Sequence, residues 1–304
     1  MKSNDSAIEL GSCPDVPPLY AIKAPASTSS RKVLKEEAKV LSYLSQFPDA
    51  GKHVVRFYGQ DSRNDALVLK AMDGTLEDWI KKELNTLPEE LRATKLASVF
   101  PSIALALIDG LMWMQDKNCV HADIKPANIL TSTKTHPSSS TEKENSAPPQ
   151  TVYSDFSSTL LSTPDLTVQN PSPLGAGTWD YLDPSLLSTR GAPAEPSNAT
   201  DLWSLAITLL FLIIGSSPFE EFRHNKYQQR EMIKQGVPMQ CAACGDGGIV
   251  NVQRVKELGD RLGMDLNRWF GKVLVKDVGK RVGIAEWREE LVRATVAAPV
   301  ASLL

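Results

Sequence analysis

The hydrophobic pattern changes period near residue 72, and this change constrains the fold more than any other feature. Before it, three short apolar runs at 19–23 (LYAIK), 53–58 (HVVRFY) and 66–70 (ALVLK) read as strands. Among them, residues 31–45 place Val33, Leu34, Ala38, Val40, Leu41 and Leu44 at helical spacing. From residue 76 onward the pattern is mostly helical. Residues 96–115 set Leu96, Val99, Phe100, Ile103, Leu107, Leu111 and Met114 along one stripe, which predicts a long amphipathic helix. The run Leu205–Gly215 is apolar on all sides, with Asp201 ahead of it and Ser216, Ser217 and Pro218 behind it. It is far shorter than the ~20 residues of a membrane span, so it predicts a helix buried at the centre of a domain. A small mixed part followed by a larger helical part predicts an α+β fold in two lobes.

Composition narrows the function classes. The 304 residues are 42% hydrophobic and 23% charged, which excludes a chain disordered throughout, a collagen or a coiled coil. A net charge of −3 and a pI near 5.9 argue against a nucleic-acid binder working by phosphate neutralisation. Four cysteines cannot form a disulfide framework and suit a reducing compartment. The first ten residues show no apolar core of a secretory signal. Residues 131–150 are Ser, Thr, Pro and charge with Ala147 as the one apolar residue, which predicts a flexible insertion. Residues 157–176 are also rich in Ser, Thr, Pro and Gly, with leucines to anchor them.

Between the long helix and the insertion lies His121-Ala122-Asp123-Ile124-Lys125-Pro126-Ala127-Asn128-Ile129-Leu130, and beyond it Asp155-Phe156-Ser157. Asn128 and Asp155 are two oxygen donors of the kind that suits Mg²⁺, which takes few protein ligands and keeps phosphate oxygens and waters. Lys125 can neutralise phosphate charge, and Asp123 is left to accept a proton from a hydroxyl. Each of these alone reads more simply as a surface turn; their order does not.

In that order the sequence resembles the eukaryotic protein kinases over nearly its whole length. Tyr20-Ala21-Ile22-Lys23 resembles the strand whose lysine contacts the α/β-phosphates. Glu37 matches the helix glutamate that pairs with that lysine. Residues 121–128 match H-R-D-x-x-x-x-N with one change, and Asp155-Phe156-Ser157 matches D-F-G with one change. Gly177-Thr178-Trp179-Asp180-Tyr181-Leu182-Asp183-Pro184 resembles the end of the activation segment. Asp201 and Arg281 match a structural aspartate and a structural arginine of the family.

The resemblance implies one kinase domain over 1–304, with a β-rich N-lobe at 1–72 and a mainly helical C-lobe at 73–297. It implies ATP and Mg²⁺ as cofactors, a protein Ser/Thr hydroxyl as acceptor, no nucleic-acid partner, no membrane span, and a cytoplasmic or nuclear setting. In this scheme Gly11 belongs to the Gly-rich loop, Ala21 and Leu130 enclose the adenine, and Lys70 to Met72 form the hinge behind a Leu69 gatekeeper. Lys23 and Glu37 orient the phosphates, and Asn128 and Asp155 hold the metal. Asp123 positions the acceptor, Lys125 marks the Ser/Thr type, and Thr178 lines the acceptor site. The activity implied is ATP-dependent Ser/Thr phosphorylation; the alternative is a pseudokinase that binds nucleotide or partners without transfer.

Several positions depart from the family. Cys13 stands where the Gly-rich loop expects glycine, and Pro14, Pro17 and Pro18 follow it. Ala122 replaces the arginine that pairs with a phosphorylated loop, so loop phosphorylation is not expected to be the main switch. Ser157 replaces the D-F-G glycine. Ser185 replaces the glutamate that Arg281 usually meets, which implies another acid or a water-exposed arginine. The stretch 223–262 is longer than the fold needs. Within it, Cys241 and Cys244 have zinc-like spacing without a second pair, so a turn with two free thiols is the plainer reading. Glu220 and Glu221 could attract a basic substrate, although a solvated charge pair is the simpler account. The apolar tail Val296–Leu304 is expected to pack or fray.

Overall fold

The computed structural model describes residues 19–133, 147–164, 166–169, 179–187 and 194–297. Strands β1 (Tyr20–Lys23), β2 (Phe57–Asp61) and β3 (Ala66–Lys70) form an antiparallel sheet in the order β1-β3-β2. Helix α1 (Thr28–Leu44) lies between β1 and β2 in the chain and packs on β2 and β3. It starts earlier than its apolar spacing suggests because Ser27 and Ser30 close a reciprocal capping box. Its buried face carries Leu34, Ala38, Val40, Leu41 and Leu44, together with one acid, Glu37.

The strand expected at 53–58 is displaced to Phe57–Asp61. A 3₁₀ turn at Ala50–Lys52 uses the amides of His53 and Val54, and the amide of Val55 bonds the Tyr153 carbonyl at 2.8 Å. The apolar residues at 54 and 55 are thus committed to a different partner.

Strands β4 (Gly74–Thr75), β6 (Ile129–Ser132) and β7 (Gln150–Tyr153) form a second sheet, and β5 (Cys119–Val120), β8 (Leu160–Ser162) and β9 (Thr167–Gln169) a third. The expected insertion is therefore narrower than 131–150: Thr131, Ser132 and Gln150 are strand residues, and 134–146 lie outside the described residues. Short helix α2 (Leu76–Trp79) follows β4.

Helix α3 (Glu89–Asp116) begins at Glu89 rather than Leu96. Its first turns are polar, with Glu89 and Glu90 complementing the helix N-terminus, and a periodicity count passes over them. They are anchored by Arg92, which is 1% exposed and donates to the Ile213 carbonyl at 2.7 Å. By length and composition α3 could cross a membrane. Its stripe is instead spent on α4 (Asn198–Ile214), α7 (Gly248–Leu262) and α9 (Ile284–Ala297). In α4, Leu205–Ile214 is buried on every side, as the apolar run predicts, and Gly215 closes the helix at φ 84°.

The excess length at 223–262 is itself helical. It forms α5 (Lys226–Gln235), α6 (Pro238–Ala242) and α7, with α8 (Leu266–Gly271) next. The main core runs from α1 through α3 and α4 to α9. A second, smaller core of Leu187, Phe219, Phe222, Ile233 and Cys241 joins α5 and α6 to the segment at Trp179 and Leu182. The whole is the α+β architecture of a small sheet-and-helix lobe above a helical lobe.

Candidate active site

Helix α1 brings Glu37 under β1, where Lys23 Nζ donates to its two carboxylate oxygens at 2.9 and 2.8 Å. The same ammonium reaches Asp155 Oδ1 at 2.8 Å, across 132 positions of sequence. Glu37 is 1% exposed and also accepts the Phe156 amide at 3.2 Å. Burial works against the Lys23 ammonium, but the Glu37 and Asp155 carboxylates outweigh it and raise its pKa. Asp155 moves the other way. Burial opposes its charge, yet Lys23 holds its carboxyl down to about 2, with help from the Ser157 hydroxyl. Asp155 itself has φ 59°, a left-handed conformation rare for residues other than glycine.

The loop after β5 is organised by Asp201, at the head of α4. Its two oxygens accept the amides of His121 at 2.7 Å and Ala122 at 2.9 Å. Ala122 is held at φ 64° by this grip. The His121 ring is buried and its pKa is lowered by desolvation, so the imidazole is neutral. With Nε2 protonated toward the Ser154 carbonyl (3.0 Å), Nδ1 accepts the Asp123 amide (3.3 Å), one tautomer serving both bonds. The ring lies 4.9 Å from that of Phe156, which joins the two motifs through the core.

Asp123 Oδ2 then accepts from Lys125 Nζ at 2.8 Å and from Asn128 Nδ2 at 2.8 Å. Asn128 Nδ2 also reaches the Asp123 carbonyl at 2.9 Å. The amide is thereby oriented, and its Oδ1 is left without a partner among the described residues. The six residues Lys23, Glu37, Asp123, Lys125, Asn128 and Asp155 are thus linked into two adjoining networks.

Ala21 pairs with Leu69 across β1 and β3, Lys70 ends β3, and Met72 lies in the connection to β4. Leu130 lies on β6, facing Thr75 and Val152 on the neighbouring strands. Gly11 and Thr178 lie outside the described residues.

Arg281 is not exposed, and its partner is not at position 185. Its guanidinium, with a side chain 3% exposed, pairs with Asp183, whose side chain is 0% exposed. Ser185 turns back to donate its amide (2.8 Å) and hydroxyl (2.6 Å) to the same Asp183. The acid has moved two positions toward the N-terminus, and the serine supports it. Of the two readings that Ser185 left for Arg281, another acid or an exposed position, the structure takes the acid, Asp183, in the order Asp-Pro-Ser where Pro-Glu is expected. Asp180, in the same motif but given no role in the sequence, is 1% exposed and accepts from Arg223 (3.0 Å) and Gln229 (2.5 Å). Glu220 is consumed by Arg223 as well. Among the described residues no group of three or more His, Cys, Asp or Glu is placed to hold a metal ion, and Cys241 (buried) and Cys244 (exposed) form no disulfide.

The protein kinase domain pattern matches residues 18–291. This chain belongs to the protein kinase family. It is 26% identical over 200 residues to the dual specificity mitogen-activated protein kinase kinase sek-1 of Caenorhabditis elegans, covering 62% of this chain and 50% of that one. It is 27% identical over 211 residues to the MAP kinase-interacting serine/threonine-protein kinase mnk-1 of the same worm, covering 66% and 27%. It is 28% identical over 180 residues to an Aurora kinase of Debaryomyces hansenii, covering 58% and 37%. The chain therefore spans half or less of the length of these relatives. Their shared family uses ATP and Mg²⁺. The kinase donor set here fits that metal: one ionised carboxylate, Asp155, and one oriented amide oxygen, Asn128, both hard oxygen donors.

Proposed function

We propose that this chain is an ATP-dependent serine/threonine protein kinase. The observation that carries the reading is the Lys23–Glu37–Asp155 cluster, closed beside the Asp123–Lys125–Asn128 network. Phosphoryl transfer asks the protein for positioning and charge stabilisation rather than covalent chemistry. Lys23, fixed by Glu37, presents a positive charge to the nucleotide phosphates. Asp155 and Asn128 would hold Mg²⁺, which when bound neutralises charge on the transferring phosphoryl group. Asp123 accepts the hydrogen bond of the acceptor hydroxyl, orients it, and receives its proton as the acceptor oxygen bonds the γ-phosphorus and the bond from that phosphorus to the departing ADP oxygen breaks. Lys125, 2.8 Å from Asp123, offers charge to the transferred group. Its presence, and the serine/threonine names among the relatives, favour Ser/Thr acceptors. ATP, Mg²⁺ and reduced thiols point to a cytoplasmic or nuclear setting.

The test is transfer of labelled phosphate from Mg·ATP to a generic Ser/Thr acceptor, with Asp123→Asn as control. The expected result is a loss of at least a hundredfold in the variant. Background transfer in both proteins, with Mg·ATP still raising the melting temperature, would replace this reading with a nucleotide-binding pseudokinase.

A further inference from the structure

No step of phosphoryl transfer uses a cysteine, yet two cysteines meet at one cavity. The loop Gly215–Pro218, the turn at Glu220–His224 and the first turn of α7 enclose a space of about 650 Å³, and Cys241 and Cys244 both line it. They stand three positions apart at the end of α6, where the Cys244 amide donates to the Cys241 carbonyl at 3.1 Å. A turn closed by that bond keeps its end α-carbons within ~7 Å, the reach of a disulfide. The Cys244 sulfur folds back to donate to the Gln240 carbonyl at 3.3 Å, over the turn that carries Cys241.

The two thiols differ in setting. Cys244 is exposed, whereas Cys241 is 1% exposed and packs with Phe219, Phe222 and Ile233 in the second core. Burial pushes the Cys241 thiol up to about 11, and the neighbouring Cys244 adds to the shift. An exposed thiol is open to an incoming disulfide. A buried one reacts with what its neighbour has already bound, so the pair divides into an attacking and a resolving partner.

We infer that Cys241 and Cys244 form a reversible redox site, oxidised to an internal disulfide by a low-molecular-weight disulfide of the glutathione class. The Cys244 thiolate attacks one sulfur of the external disulfide, and the other leaves as a thiolate with the electron pair of the broken S–S bond. The Cys241 thiol then gives up its proton to water and attacks the Cys244 sulfur, and the second external thiolate leaves. Two cysteine thiols lose two electrons and two protons, and the external disulfide takes them up as two thiols. The new bond closes a loop of only four residues. Cross-links restrict the unfolded chain more as the loop lengthens, so this one is suited to reversal rather than to holding the fold. In a reducing compartment such a bond is transient, as a sensor requires. It joins the turn before α7 to a residue of the second core, which also packs against Trp179 and Leu182.

Equilibrating the full chain in buffers of stepped reduced-to-oxidised glutathione ratio, with acid quenching, alkylation and tryptic mass mapping, tests this without ATP, and its failure leaves the proposed activity untouched. Residues 235–254 form one tryptic peptide that holds both cysteines and neither Cys13 nor Cys119. In the wild type this peptide is expected to lose two hydrogens as the ratio turns oxidising and to regain them on return. Cys241→Ser should instead keep a glutathione on Cys244, about tenfold more than the wild type retains, because no thiol is left to resolve it. Cys244→Ser should leave Cys241 reduced at ratios that convert the wild type. Should Cys241→Ser disturb the second core, the wild type and Cys244→Ser decide. A wild-type glutathione adduct on Cys244 that never gives way to the internal bond overturns the inference. So does a peptide that stays doubly alkylated at every ratio, or oxidation of Cys241 that persists in Cys244→Ser.

Discussion

At Lys23 one ammonium serves two carboxylates, one of them fully buried. Lys23→Met leaves the Glu37 carboxyl, which burial already pushes up in pKa, without its counter-charge in the core, and breaking such a pair from one side costs on the order of 3 kcal/mol. Removing the buried acid as well, in Lys23→Met/Glu37→Leu, should recover part of that loss, as read from urea midpoints, while phosphoryl transfer stays abolished. Asp201 makes a pH prediction. Burial pushes its carboxyl up to about 7, against the amides of His121 and Ala122. The folded state then holds a proton that the unfolded chain releases near pH 4, so this residue's contribution to stability falls as pH rises from about 4 to about 7. In Asp201→Asn the urea midpoint should be lower throughout but fall less between pH 5 and 7.5; an unchanged slope would remove Asp201 as its source. Ala122 offers no side chain to a loop phosphate, so transfer activity is expected to survive phosphatase treatment. Activity lost with the phosphate and restored with it would contradict this.

At the scale of elements, boundaries follow caps that the hydrophobic pattern does not show. Helix α4 is closed at one end by the Ser197/Thr200 capping box and at the other by Gly215. Ser197→Ala should cost about 1 kcal/mol. Gly215→Ala should cost more, because it strains a φ of 84° and sets a Cβ 2.3 Å from Oδ1 of Asn85, the residue whose Nδ2 donates to the Gly215 carbonyl. Thermal or urea unfolding of the two variants orders them. β3 and the buried stretch of α4 were legible because their apolar runs are uninterrupted. β2 and the start of α3 were not, since His53 to Val55 bond toward Tyr153 and Arg92 replaces an apolar anchor. The site residues were legible because each motif is contiguous. Their partners were not, because a one-dimensional pattern shows which face a residue takes and not which distant group meets it.

Across the whole molecule, the nucleotide is expected to draw on both lobes, with Lys23 and Ala21 above, and Asn128, Leu130 and Asp155 below. Mg·ATP at a hundredfold excess over its dissociation constant should therefore add about 2.7 kcal/mol and raise the melting temperature by several degrees. Asp155→Asn should remove most of the Mg²⁺-dependent part of that rise in a thermal scan. An equal shift in the variant would take Asp155 out of the metal site.

The Asp183–Arg281 pair also bears on how such a chain can change over generations. One buried base here is matched by one buried acid, and the acid has two possible addresses, 183 and 185. Ser185→Glu alone would put two carboxylates against a single guanidinium, while Asp183→Ala alone would leave none. Either change unbalances the charge around a buried guanidinium. The three positions are therefore expected to act together: Asp183→Ala should cost less stability with Ser185→Glu beside it than alone, as read from urea midpoints.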